Sequence, residues 1–191
     1  MSNERKTQII KAAAKRFARH GLNKTTLDEV ARDIRIGKAT IYHYFQSKDD
    51  LFYETLKWEI EIYLENIKTI FNNESIDYKD RLIEYFNLKE AIQTNYKLIY
   101  DLIVQVLSEQ NTEQELPILK HLLDKEEDLL KKLLSAALRE KMMKVSPLVP
   151  AYVVDYSWGM VLGNKIWTTV NPDKTVHKKE FIIKTLESII S

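Results

Sequence analysis

The sequence predicts an all-α protein of about nine helices, three short ones at the N-terminus and a long fourth leading into an all-helical remainder. Three observations predict it. Apolar residues recur at helical spacing along almost the whole chain, with no stretch of strand-like alternation. Only 4 Gly and 4 Pro occur in 191 residues, so little of the chain is loop. And residues 38–51 spell a short helix with only Ile41 and Phe45 as apolar anchors, one turn apart.

The first helix is expected from about Glu4 to His20, with Ile9, Ile10, Ala13, Ala14 and Phe17 on one side and Gly21 as its stop. Thr26 and Glu29 have the Thr-x-x-Glu spacing of a capping box and open the second helix. Leu27, Val30, Ala31 and Ile34 then fit a buried helical face. A turn over 35–37 leads into the third helix. Two short helices joined by such a turn and packed on another make a helix-turn-helix.

The third helix is the reader. Its non-core faces hold Lys38, Thr40, Tyr42, His43 and Tyr44, hydroxyl, imidazole and ammonium groups that suit phosphates and base edges. Ala39 allows close approach to a base. Ser47 caps the fourth helix, with Asp49 and Asp50 at the positive end of its dipole and Lys48 placed for a DNA phosphate. An ordinary helix start is the plainer reading of Ser47 to Asp50; the preceding motif argues against it.

Three stretches, Ile9–Gly21, Thr25–Ala31 and Lys38–Leu51, closely resemble the DNA-binding domain of the TetR (tetracycline-repressor-like) family of bacterial transcriptional regulators. Caps, core positions and polar positions agree over roughly 45 residues, the first quarter of the chain. The expected DNA-binding site comprises Thr26, Arg35, Lys38, Ala39, Thr40, Tyr42, His43, Tyr44 and Lys48. Two positions depart from the family pattern. Arg35 stands where Gly is common, and Gly37 where Ser is. A left-handed conformation costs Arg35 a steric penalty, so a slightly reshaped turn is expected there.

The charge is divided. Residues 1–50 carry 11 Lys/Arg against 6 Asp/Glu, a balance of +5, and the rest carries 18 against 22, a balance of −4. A basic module on a mildly acidic body suits nucleic-acid contact at one end. With no cysteine, neither disulfides nor thiolate metal sites are possible. No apolar leader or membrane-length run is visible, so a cytoplasmic location without membrane contact is the expectation.

Beyond residue 47 the pattern is helical throughout. The fourth helix is expected to reach about Asn72, with Leu51, Phe52, Leu56, Trp58, Ile62 and Leu64. Helices follow at about Tyr78–Gln93, Asn95–Ser108, Leu116–Lys141, from Ser146-Pro147 to Val170, and Val176–Ile190. The expected division is a helix-turn-helix domain over 1–47 and a ligand-binding and dimerisation domain over 48–191.

The last two helices are apolar on more than one face. Tyr156, Gly159 and Gly163 on one, and Ile182, Leu186 and Ile189 on the other, are expected to pair with the same helices of a second subunit. The family resemblance implies the same homodimer. Packing within one chain is the alternative. Tyr100, Gln105, His121, Trp158, Asn164 and Trp167 mix aromatic and polar groups on apolar helices, as small-molecule pockets do. Core packing is the competing role for each.

No phosphate loop, metalloprotease motif, nucleophile elbow or carboxylate–histidine cluster is present, and an enzyme, cofactor or metal is not expected. The expected function is a homodimeric repressor released from a near-palindromic operator by a small apolar or aromatic ligand. The alternative is a non-sensing DNA-binding or protein-interaction dimer of the same fold.

Overall fold

The computed structural model describes residues 2–108, 113–140, 149–170 and 184. The expected helix at 176–190, with Ile182, Leu186 and Ile189, and the expected start at Ser146-Pro147 lie outside the described residues. Among the described residues the chain is all helical: α1 (Ser2–Lys24), α2 (Leu27–Asp33), α3 (Lys38–Tyr44), α4 (Lys48–Phe71), α5 (Tyr78–Glu90), α6 (Ile92–Asn95), α7 (Lys97–Ser108), α8 (Glu115–Arg139) and α9 (Val149–Val170).

Two compact units emerge. One holds the chain through Tyr63 together with Tyr96–Glu115; the other holds Leu64–Asn95 and the described residues from Leu116 onward. Packing thus groups the chain otherwise than the division at residue 47 expected from the sequence.

In the first unit, α1 packs on α2 and α7, and α2 on α3. Ile9, Ala13 and Phe17 of α1, Val30 of α2, Ile41 of α3 and Leu51 of α4 are buried together in its core. Phe17 meets Phe52 edge-on, ring centres 5.2 Å apart. Gly21 breaks the helical geometry of α1 at φ 76, ψ 169, the stop that its lack of a Cβ allows.

α5 stops earlier than its sequence suggests. Ala91 ends it, the single turn α6 follows, and α7 begins at Lys97 rather than Asn95. Two tertiary contacts fix that later start. Tyr96 is buried with its ring 5.2 Å from that of Tyr63 on α4, and the Glu59 carboxylate accepts the Ile99 N–H at 2.9 Å. A carboxylate at those unsatisfied N–H groups determines where a helix starts. In the second unit α5 packs on α9, with Leu82, Tyr85, Phe86, Val153 and Val154 buried.

Candidate nucleic-acid interface and internal cavity

The helix-turn-helix is built as its caps dictate. Thr26 is the N-cap of α2 and both halves of the capping box form: the Thr26 hydroxyl accepts from the Glu29 N–H, and the Glu29 carboxylate accepts the Thr26 N–H at 2.9 Å. Those bonds hold Glu29 below the usual carboxylate range. The side chain of Thr26 is thereby committed to the cap while remaining exposed.

α3 separates its faces cleanly. Ile41 and the following Phe45 are buried, whereas Lys38, Ala39, Tyr42 and His43 are exposed, and Thr40 and Tyr44 are half-buried. His43 and Tyr44 lie edge to face, 5.1 Å between ring centres. Seven residues anchored by two side chains leave a solvent face of hydroxyl, imidazole and ammonium groups.

The turn corrects one expectation. Arg35 adopts φ 55, the left-handed conformation itself, so the turn keeps its geometry and the arginine carries the strain. The N–H groups of Arg35 and Ile36 return to the carbonyls of Arg32 and Ala31 at 3.2 and 3.0 Å, and these bonds hold the turn. The Arg35 side chain is exposed.

Two predicted phosphate cations have partners of their own. Lys38 Nζ donates to Asp28 at 2.8 Å, across an exposed ion pair that a phosphate can replace. Lys48 Nζ donates to the Leu22 carbonyl at 2.9 Å, just beyond the Gly21 break. Ser47 caps α4 as expected, its hydroxyl accepting from the Asp50 N–H at 3.0 Å, and Asp50 reaches back to the Gln46 N–H at 2.8 Å.

Sequence reasoning missed the residue that locks α1 to α2. Arg16 forms a two-pronged contact with Asp33 at 2.6 and 2.8 Å and meets Glu29 at 3.3 Å. That fork holds Asp33 below, and Arg16 above, its ordinary pKa. Arg16 lies 17 residues from Asp33, and no local pattern announces the pair.

The second unit contains a cavity of about 360 Å³. Phe86 of α5 and Met160, Val161 and Trp167 of α9 form apolar walls, and Lys89, Gln93, Ser157 and Asn164 supply polar groups. Of the expected pocket residues, Asn164 and Trp167 line it. Trp158 stands behind the wall, buried, its indole N–H donating to Glu126 at 2.9 Å. Tyr100 and Gln105 belong to the first unit, and His121 is exposed on α8. Gly163, expected at a dimer interface, is exposed and also lines the cavity.

Beside the cavity lies a buried polar cluster that the sequence did not reveal. Glu126 of α8 receives Lys89 Nζ at 2.5 Å, the Tyr85 hydroxyl at 2.8 Å and the Trp158 indole. Lys89 Nζ also sits 3.2 Å from the centre of the Trp158 ring. Burial pulls the Lys89 ammonium down to about 7 despite the neighbouring carboxylate, and pushes the Tyr85 phenol well up. Ser157 Oγ lies 2.9 Å from the Tyr85 hydroxyl.

On α9, Tyr152, Ile166 and Val170 are exposed together with Gly159 and Gly163, and among the described residues a Cβ at either glycine would meet nothing beyond its own stretch of helix within 4 Å. Tyr156 is half-buried against Phe86, ring centres 6.2 Å apart. Among the described residues there is no group of metal-ligating side chains, and no helix is long and apolar enough to cross a membrane.

Residues 9–55 match the family model of bacterial regulatory proteins, tetR family. Over that segment, about a quarter of its length, the chain is similar to the DNA-binding domains of that family. It is 41% identical over 64 residues to the HTH-type transcriptional regulator HbdR of Aromatoleum sp. (strain CIB), covering 34% of this chain and 28% of HbdR. It is 32% identical over 96 residues to the negative transcriptional regulator of the icaADBC biofilm operon, IcaR, of Staphylococcus aureus, covering 50% and 51%. The matches thus span from about a quarter to half the length of these curated relatives.

Solved structures extend the likeness of fold over nearly the whole chain. A transcriptional regulator from Saccharomonospora viridis in complex with choline superposes with a TM-score of 0.75 at 16% identity, covering 98% of both chains. The regulator FadR of Bacillus subtilis in complex with stearoyl-CoA superposes with a TM-score of 0.70 at 17% identity, covering 97% and 99%. These four proteins are all described as transcriptional regulators.

Proposed function

We propose that this chain is a homodimeric transcriptional repressor of the tetR family that leaves a near-palindromic operator when a small molecule enters its second unit. The observation that carries the DNA-binding half is α3, where Ile41 and Phe45 anchor the helix and Lys38, Ala39, Tyr42 and His43 face solvent. Thr26, Arg35, Thr40, Tyr44 and Lys48 complete the proposed DNA surface. The apolar cavity supports a sensor over a non-sensing dimer, since its volume lies within the range of small-molecule sites. The exposed α9 face of Tyr152, Gly159, Gly163, Ile166 and Val170 supports pairing with a second copy.

The helix α4 joins the two roles, beginning at Lys48 beside the DNA surface and ending at Phe71 in the second unit. A ligand that binds the DNA-free conformation more tightly shifts the balance by about 1–3 kcal/mol, the usual size of such coupling. Linkage makes the effect reciprocal. The test is to screen uncharged aromatic compounds by thermal shift, then measure the hit's affinity with and without saturating operator DNA. A five-fold or greater loss of ligand affinity on DNA is expected; equal affinities would return the reading to a non-sensing dimer.

A further inference from the structure

α2 carries three carboxylates, and two of them hold the motif together. Glu29 accepts the Thr26 N–H and meets Arg16, and Asp33 takes the Arg16 guanidinium on two prongs. Asp28 is engaged across the turn instead. It is exposed in the first turn of α2, and the Lys38 ammonium at the start of α3 donates to it at 2.8 Å. That lysine belongs to the proposed DNA surface, which places the Asp28 carboxylate on the same surface. An exposed ion pair of this kind adds little to the stability of the fold.

We infer that Asp28 is a specificity-determining residue, its carboxylate accepting from the exocyclic amine of one cytosine in each half-site. This rests on the DNA-binding reading above. A phosphate that replaces Asp28 on Lys38 leaves the carboxylate as an acceptor without a donor, beside a polyanion. Such a group is costly unless the DNA supplies a donor of its own. The major groove offers two, the N4 amine of cytosine and the N6 amine of adenine. The adenine amine lies between two acceptors, N7 of its own ring and O4 of the paired thymine, and both repel a carboxylate. The cytosine amine has one such neighbour, O6 of the paired guanine, with a C–H on its other side. Cytosine is therefore preferred. Guanine and thymine present acceptors alone at that place, and the carboxylate rejects them.

Two substitutions separate this reading role from mere charge. Asp28→Ala removes the acceptor and should make the position indifferent to base. Asp28→Asn replaces it with an amide that donates as well as accepts, the match for N6 and N7 of adenine, so the preference should move to adenine. A carboxylate that only repelled phosphates would give both variants the same gain on every duplex.

The experiment selects duplexes from random sequence with the full wild-type chain. The recovered half-site is rebuilt with each base pair at each position and titrated with wild type, Asp28→Ala and Asp28→Asn. At one position wild type should bind cytosine at least about tenfold tighter than guanine or thymine. Asp28→Ala should narrow that spread to less than about threefold and leave the other positions as they were, while Asp28→Asn should bind adenine best. Uniformly tighter binding by both variants with every base preference kept overturns the inference and leaves the DNA-binding reading standing. Should the alanine variant fail to fold, a cytosine preference kept by the near-isosteric asparagine variant overturns it equally. If wild type recovers no preferred sequence, the inference and the DNA-binding reading fall together.

Discussion

Arg35 sits at φ 55 in the turn between α2 and α3, a conformation that glycine adopts without strain. An L-residue with a Cβ is disfavoured there by about 1–2 kcal/mol, partly offset by the greater entropy that glycine loses on folding. Arg35→Gly is therefore expected to stabilise the chain by about 0.5–1 kcal/mol in a denaturant titration. A destabilised variant would mean that the guanidinium makes a stabilising contact outweighing the backbone strain. At this scale the caps were legible in the sequence, because a capping box is a local spacing. Arg16–Asp33 and Lys89–Glu126 were not, because each pair closes across the fold and its chemistry depends on burial. His121 shows the converse: its residue type suited a pocket, but the register of α8 leaves it exposed.

Among the elements, α3, α4 and α7 carry the argument. α3 was readable before folding because its polarity is divided at helical spacing. The start of α7 was not, since Glu59 on α4 sets it from 40 residues away in sequence. Burial pushes the Glu59 carboxyl up to about 7, opposed by the backbone N–H groups of Ile99 and Leu98, with Asp101 and Lys97 as the charged neighbours. The sign follows from linkage. A carboxyl whose folded pKa is raised contributes stability fully below its unfolded value near 4.5 and loses it as pH rises through about 7. The stability of the wild type relative to Glu59→Gln should therefore fall by about 2 kcal/mol between pH 4.5 and pH 7.5. Urea unfolding of both proteins at those pH values measures it; parallel profiles would show that Glu59 titrates alike in the folded and the unfolded chain. α6 escaped the sequence reading for a related reason, as Ala91 interrupts an otherwise unbroken helical pattern without any Gly or Pro to mark it.

For the whole molecule, the proposal requires two chains, because one α3 reads one half-site. Ile166 and Val170 are 67% and 71% exposed, so a charge there should leave the fold of a single chain intact. Ile166→Glu is expected to give a folded monomer in sedimentation equilibrium and to abolish tight operator binding, since a buried unpaired carboxylate opposes association. A variant that stays dimeric would move the interface elsewhere on the chain. The central claim, that paired α3 helices read DNA, is tested most directly by selecting duplexes from random sequence with the full chain and titrating the recovered sites. The expected site is a near-palindrome with half-site centres roughly 34–36 Å apart, bound by two chains. Lys38→Met should then weaken every duplex similarly and reduce the salt slope by about one, whereas His43→Ala should change the preferred base within each half-site. Recovery of no preferred sequence, or of an asymmetric site bound at full affinity by a single chain, would contradict it.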